Sequence, residues 1–542
     1  MKTKKSIIAS VSLISLAFAT PALAQSVSKL DQNGNGNGAT VAQSGNNTSD
    51  VKQTGNDNRA SADQTGNTNS STISQEALGA GAFVTQNGEN NKSTIIQEDA
   101  STGNTINRPE DPESTVVQRG NDNISTVNQN AVAPGFNLVG NVTQTGDDNI
   151  SNIDQDAAGP SWSGTIRTVL TQTGSANSNI VQYAANSRDL HATVTQSDSV
   201  LTLNQLALGQ SSAGLSASVR QQSGSAAIVN QTTTGERSGD LYAMLDQRNG
   251  AIANVTQTAG GLSSSNMDAI VTQDGANTAN VTQTFSQPGS STFLATVNQG
   301  GTGNLANVTQ RDLAPGSVAD PDTGLTATVR QSGTGNTTDL VQENRSAIAT
   351  ITQAGNNNLA NAFQGDVGQD LTVSQSGRDN RSFSNQTGTG NLADVLQAGT
   401  GATSTVTQSG RNDLAFVDQL VGSDGSTSLI TQKGAGGLAS ANKADVTQSG
   451  ASNRSEITQS GFDSSALLIQ SGARNTSTIT QTGTVDGLDS SAKVTQSGND
   501  NISNILQDGS LNSATVTQSS DNNLSTITQT GTGGTVTVTQ GM

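Results

Sequence analysis

Cysteine is absent from this sequence, which excludes a disulfide frame and thiolate chemistry. His191 is the single histidine. It sits in the alternating stretch Leu190-His191-Ala192-Thr193-Val194, so an outward strand residue is expected there rather than a metal ligand or a triad base. No Gly-x-x-x-x-Gly-Lys-Ser/Thr stretch occurs to cradle a phosphate. Nothing in the chain points to a catalytic, cofactor or metal site. Aromatic residues are 2% and hydrophobic residues 31% of the chain, a composition that on its own points towards disorder. Trp162, Phe136, Tyr242 and Phe293 are expected in insertions between repeats. The formal charge of −18 disfavours binding to a nucleic-acid backbone.

What the chain has instead is a period. From Gln331 glutamines recur at Gln342, Gln353, Gln364, Gln375, Gln386, Gln397, Gln408 and Gln419, eleven residues apart. The beat begins near Gln43 and runs to Gln540. Most beats carry a branched apolar residue two places earlier, as Val406 before Gln408 and Ile479 before Gln481. A disordered chain has no reason to hold Val and Ile in phase with Gln, so the period argues for a repeat fold.

Alternation within one unit predicts a strand. Asn123, Ser125, Val127 and Gln129 lie on one face of an extended chain. The set returns as Asn149, Ser151, Ile153 and Gln155, as Asn501, Ser503, Ile505 and Gln507, and as Asn523, Ser525, Ile527 and Gln529. Gly commonly follows Gln by two places, as at Gly146, Gly355 and Gly498, and Gly and Asn accept the positive φ of a tight turn.

Irregular beats show how strands are grouped. Of 41 beats, twelve successive gaps are 13 residues or longer, and eleven of these run from an even beat to an odd one. Gln419 to Gln432 is the exception. Pro109, Pro112, Pro134, Pro160, Pro288, Pro315 and Pro321 all fall in the long gaps, as residues that cannot donate to a ladder should. Insertions therefore leave from one edge, and the unit is a strand pair of about 22 residues, twice the eleven-residue beat. The expected fold is an all-β, two-strand-per-coil solenoid of strand-turn-strand repeats with cross-β stacking of like residues. An antiparallel meander is the alternative, but it prefers two-residue turns and leaves its Val/Ile row uncovered.

Residues 1–24 read as a secretory signal: Lys2, Lys4 and Lys5, an apolar stretch from Ile7 to Thr20, then Ala22-Leu23-Ala24. No second apolar run follows, so no membrane span is expected. Residues 25–38 are expected to be a flexible segment. Residues 39–540 are expected to be the repeat, with long one-edge loops mainly at 98–330. The last strand, Thr535-Val536-Thr537-Val538-Thr539-Gln540, carries no polar cap, so Val536, Val538 and Gln540 are expected to form a templating strand. Asp147, Asp148, Asp379 and Asp500 in the tight turns are candidate gatekeepers against premature pairing.

The stretch Gln496-Ser497-Gly498-Asn499-Asp500-Asn501-Ile502-Ser503-Asn504-Ile505-Leu506-Gln507 resembles the curlin repeat of curli fibres, an extracellular functional amyloid. The likeness covers about residues 39–540, with more repeats than the family usually has. The resemblance implies an extracellular fibre subunit that assembles with copies of itself, supports biofilm matrix and adhesion, and starts on a nucleator subunit. It further implies export through an outer-membrane secretion apparatus, with residues 25–38 where the family keeps its secretion-targeting segment. The four Asn-Ser-Val/Ile-Gln sets above would then be the self-assembly ladder. The alternative is a monomeric secreted adhesin or an ice-binding solenoid using outward Thr-x-Thr rows such as Thr405/Thr407 and Thr515/Thr517.

Overall fold

A computed structural model describes residues 25–99, 112–131, 136–158, 164–185, 189–209, 214–235, 240–260, 266–286, 292–312, 324–343, 345–434, 441–482 and 489–541. Every regular element among them is a β-strand; there are 42, of six to eleven residues. The signal-like residues 1–24, Trp162 and all mature-chain prolines except Pro112 lie outside the described residues. The chain forms two compact units, Met1–Gly250 with Asn254–Asn266, and Ala251–Ala253 with Met267–Met542. Both follow one plan.

In the first unit, Ile124–Ala131 pairs in parallel with Lys92–Asp99 and with Ile150–Ala158. Its successor in sequence, Phe136–Thr145, pairs instead with Glu113–Arg119 and Gly164–Thr173. In the second unit, Thr403–Gln408 joins Arg381–Gln386 and Thr427–Lys433, while Leu392–Gln397 joins Asp370–Arg378 and Leu414–Gln419. Successive strands thus alternate between two parallel sheets, and two strands complete a coil. The fold is a β-solenoid, not a meander, because each connection crosses to the other sheet instead of returning beside its own strand.

Burial follows the alternation. In Ser465–Gln470 every second residue is buried, Ala466, Leu468 and Gln470. Val406, Ile430 and Ile457 stack in one sheet with no exposed surface. The two inward rows meet: Thr338 Oγ1 in one sheet donates to Gln353 Oε1 in the other at 2.8 Å. A thin core of this kind is closed by short inward residues, which explains a chain with so few large apolar side chains.

The tight turns use two left-handed residues. Between Phe136–Thr145 and Ile150–Ala158, Gly146 has φ +99° and Asp148 +59°. Asp379 and Asp500 hold the same kind of position at +57° and +56°. Asp tolerates this region better than most residues, so these candidate gatekeepers have a conformational reason to be where they are. Glycines of successive coils stack closely, and a Cβ on Gly355 (φ +110°) would lie 2.0 Å from the Gly377 carbonyl oxygen.

Three readings of the sequence need correction. Part of segment 25–38, expected to be flexible, is a strand, Val27–Asn33, in register with Thr48–Thr54 and with Gln32 opposite Gln53. Leu30 and Gln32 already hold the phase of the repeat, one beat before Gln43. Tyr242 and Phe293 do not sit in insertions but in strands, Leu241–Arg248 and Thr292–Gly300. Strands beside long connections extend beyond the minimal repeat, and parity then sends Phe293 inward, edge-on to Phe285 with centroids 6.2 Å apart. Phe136 likewise opens the strand Phe136–Thr145. His191 lies exposed on Leu190–Ser197, as expected. The exceptional gap after Gln419 closes on itself through Ser423 N to Leu420 O and Ser426 N to Ser423 O, both 3.0 Å.

Replacing Gly355 by Ala should cost about 1–3 kcal/mol, from a strained backbone and a blocked coil contact. Denaturant unfolding checks this; a change below about 0.5 kcal/mol, the range of ordinary surface substitutions, would show that the turn relaxes freely.

Candidate functional site: the buried amide ladders

Glutamine near the end of the strands is buried in all but the outermost described coils, and its carboxamide does three things at once. Gln408 Nε2 donates to Gln432 Oε1 in the next coil at 2.9 Å, to Leu392 O in the opposite sheet at 2.9 Å, and to Asp413 O beyond the following turn at 2.9 Å. Its own Oε1 accepts from Gln386 Nε2 at 3.0 Å. One side chain therefore links like residues along the stack, ties the two sheets together and holds the turn. An unpaired buried amide would be costly; here the fourfold use leaves little of its capacity idle.

A second ladder lines the turns. The backbone N–H of Asn358 donates to Asn336 Oδ1 at 3.0 Å, and that of Asn380 to Asn358 Oδ1 at 3.1 Å. Asn336 Nδ2 returns to Gly355 O at 3.0 Å. This ladder runs opposite to the glutamine one: each Asn oxygen receives from the coil that follows it, whereas each Gln nitrogen donates to that coil. On the other edge Asp413 takes an Asn position, its Oδ1 accepting from Asn442 N at 3.1 Å and Nδ2 at 3.2 Å. This carboxylate was missed in the sequence; the five-residue step from Gln408 to Asp413, matching Gln386 to Asn391, marks it.

The residues singled out by alternation fall into two groups. In the first unit Ser125, Val127 and Gln129 stand opposite Ser151, Ile153 and Gln155. Asn149 N donates to Asn123 Oδ1 at 3.1 Å, Ser151 Oγ to Ser125 Oγ at 3.0 Å and Gln129 Nε2 to Gln155 Oε1 at 2.8 Å. In the second unit Ser503, Ile505 and Gln507 stand opposite Ser525, Ile527 and Gln529. Asn523 N donates to Asn501 Oδ1 at 2.8 Å, and Gln507 Nε2 to Gln529 Oε1 at 2.8 Å. All sixteen are buried except Asn523, which is half-buried. Val536, Val538 and Gln540 point the same way but are only half-buried, since Thr535–Gln540 pairs with Ser513–Gln518 alone among the described strands.

The outward faces are mixed. Across one sheet of the second unit, the row through Thr405 reads Phe383, Thr405, Leu429, Glu456, Thr478, Asn504 and Thr526 in register. Apolar and charged residues interrupt threonine, which is contrary to a uniform ice-binding face. On the other sheet Asp394 and Asp418 lie on adjoining strands. Burial, and then the Asp370 charge, pushes the Asp394 carboxyl above its ordinary range. Burial, and then Asp394 and Asp445, does the same to Asp418. Asp156 in the first unit is raised by burial and then by Asp154. Asp500 runs the other way, its carboxyl lowered first by its hydrogen bond to Arg474, with Oδ2 2.6 Å from the guanidinium.

The architecture just described defines a class: a two-sheet parallel β-solenoid whose repeats are held by buried amide ladders. Within that class, four stretches of the chain are similar to the curlin repeat. The model of the curlin associated repeat matches residues 46–76, 439–472, 487–519 and 512–541. These matches take in Asn501 to Gln507, Asn523 to Gln529 and the strand Thr535–Gln540. Comparison with curated proteins gives no significant match. Repeats and fold together fit a curli-type structural protein.

Replacing Gln397 by Leu should cost about 2–4 kcal/mol, because Arg381 O and Gln419 Oε1 lose their donor at about 1–3 kcal/mol each. Urea unfolding measures it, and a neutral outcome would mean that the ladder is replaceable by apolar contact. The raised carboxyls set a pH dependence. Their stability contribution is complete below the unfolded value near 4 and is lost as pH rises through the higher folded value. Asp394→Asn with Asp418→Asn should therefore raise the unfolding midpoint at pH 7 and remove part of the gain on acidification. Unchanged pH profiles would exclude these two groups as its source.

Proposed function

We propose that this chain is a structural subunit of an extracellular, curli-like amyloid fibre that grows by end-to-end stacking of coils. The observation that carries the reading is the continuity of the ladders within each unit up to a half-buried strand edge. Gln518 Nε2 donates to Gln540 Oε1 at 2.8 Å, and Gln540 Nε2 turns to Leu524 O at 2.9 Å. A further coil laid on Thr535–Gln540 would extend the backbone pairing, bury Val536 and Val538, and receive the next glutamine. A parallel edge with its side-chain ladder in place is a template for a second copy.

Other parts of the reading rest on the curlin repeats and the signal-like N-terminus. They are secretion across an outer membrane, growth from a nucleator subunit, and a role in biofilm matrix and surface adhesion. A structural repeat of this family points to a non-enzyme. No helix among the described residues is long and apolar enough to cross a membrane. A monomeric adhesin using the same solenoid is the competing outcome.

Purified mature protein should give thioflavin-positive fibres with fibre reflections at about 4.7–4.8 Å and about 10 Å. Val538→Pro removes a ladder donor from the terminal strand and should slow elongation by about tenfold, equivalent to about 1.4 kcal/mol. A soluble particle at every concentration, with no such reflections, would favour the monomeric adhesin.

A further inference from the structure

Outward residues of the second unit differ in charge between its two sheets over the same coils. On one sheet, in-register rows read Asp370, Leu392, Leu414 and Lys443; then Thr372, Asp394, Phe416 and Asp445; then Ser374, Leu396, Asp418 and Thr447. Asp370, Asp394 and Asp418 form a diagonal, each one strand and one outward position beyond the last. Apolar residues flank it: Leu392, Leu414 and Phe416 on one side and Leu396 on the other. Lys443, the one cation of these three rows, sits 5.7 Å from the Phe416 ring centroid.

The opposite sheet carries the complementary pattern. Its rows read Leu359, Arg381, Thr403, Thr427 and Arg454; then Asn361, Phe383, Thr405, Leu429 and Glu456. Phe363 lies beyond Asn361 on the same face, and Lys433 at the end of its strand. Arg381 and Arg454 are exposed, whereas Phe363, Phe383 and Leu429 are half-exposed. Glu456 is the single acid of these rows and is paired to Arg454 at 3.1 Å. One face is therefore apolar with net negative charge, and the other apolar with net positive charge.

We infer that these two faces are a self-complementary lateral contact: the acidic–apolar sheet face of one copy docks on the basic–apolar sheet face of a second copy. Because the two surfaces differ, the contact is heterologous and repeats without closing. Like faces meeting would place Asp370, Asp394, Asp418 and Asp445 against their own copies, which charge repulsion disfavours. Burial, and then the neighbouring carboxylates, raise Asp394 and Asp418, and the incoming Arg381 and Arg454 would offset the charge part of that effect.

The four strands of the acidic face by three outward positions make a patch of about 19 Å by about 20 Å. That is about 400 Å² a side, below the roughly 800 Å² of a standard interface. One such contact is transient, and a fibre that repeats it once per chain multiplies it. In strength, though not in geometry, the contact rests on the fibre reading. It would gather fibres side by side, and its charged part would weaken with salt as exposed charges are screened.

A charge-swap test separates the contact from end-to-end growth. Variant one carries Asp394→Lys and Asp418→Lys; variant two carries Arg381→Glu and Arg454→Glu. Every altered side chain points outward, and circular dichroism verifies that the fold persists. Wild-type fibres at low salt should bundle; each variant alone should give separate fibres of normal length. An equimolar mixture of differently labelled variant fibres should restore bundles containing both labels. Bundling of either variant as in wild type, or no restoration on mixing, would overturn the inference. If no fibres form, the fibre reading fails separately. Sedimentation of the same samples as soluble protein then decides: dimers in the mixture that neither variant forms alone support the contact, and their absence overturns it.

Discussion

The structure depends on a carboxamide that can donate and accept at once. A glutamine buried between two sheets has no water to satisfy it, and a fold with a thin apolar core cannot absorb many unpaired polar groups. Stacking coils in parallel solves both problems, because each Gln meets another Gln at the strand spacing and still has a proton for the opposite sheet. Gln408, bridging Gln432, Leu392 O and Asp413 O, shows the arrangement in one residue. An apolar replacement of the same size would fill the space and break all of these links.

That constraint explains the composition. With amides carrying the cohesion, inward positions need only be small: Ala444 and Val446, or Ser477 and Ile479, fill the gap between the sheets. Turns must then be short and uniform so that the amides stay in register, which is why left-handed Gly and Asp recur at fixed steps. Where glycines of successive coils stack closely, as Gly355 on Gly377, the turn tolerates little, and the longer connections leave mainly from one edge. Surface residues are released from these demands. Sheet faces can therefore carry different charges over the same coils, and contacts between copies can be specified without disturbing the interior.

Much of this was legible in the residues. Alternation around Gln identified the inward sets, and long gaps following even beats implied two strands per coil. Parity placed His191 outside, and the same parity, applied further from the glutamine, would have placed Phe293 inside. The strand Val27–Asn33 was overlooked because Leu30 stands in a Val/Ile position and the turn after it is rich in Gly and Asn, a pattern shared by flexible segments. Asp413 was overlooked because a carboxylate in an amide ladder contradicts the usual preference for burying neutral groups. Neither departure can be weighed until its neighbours are known.

By itself, then, the sequence determined which residues face inward and how often the chain turns, because strand parity and turn chemistry are local properties. The structure alone decided which strands lie side by side. That choice places Asp370, Asp394 and Asp418 on one diagonal although they are 24 residues apart in sequence at each step. It also gives the glutamine and asparagine ladders their opposite directions. Both follow from stacking one coil on the next, an interaction between segments that no single repeat contains.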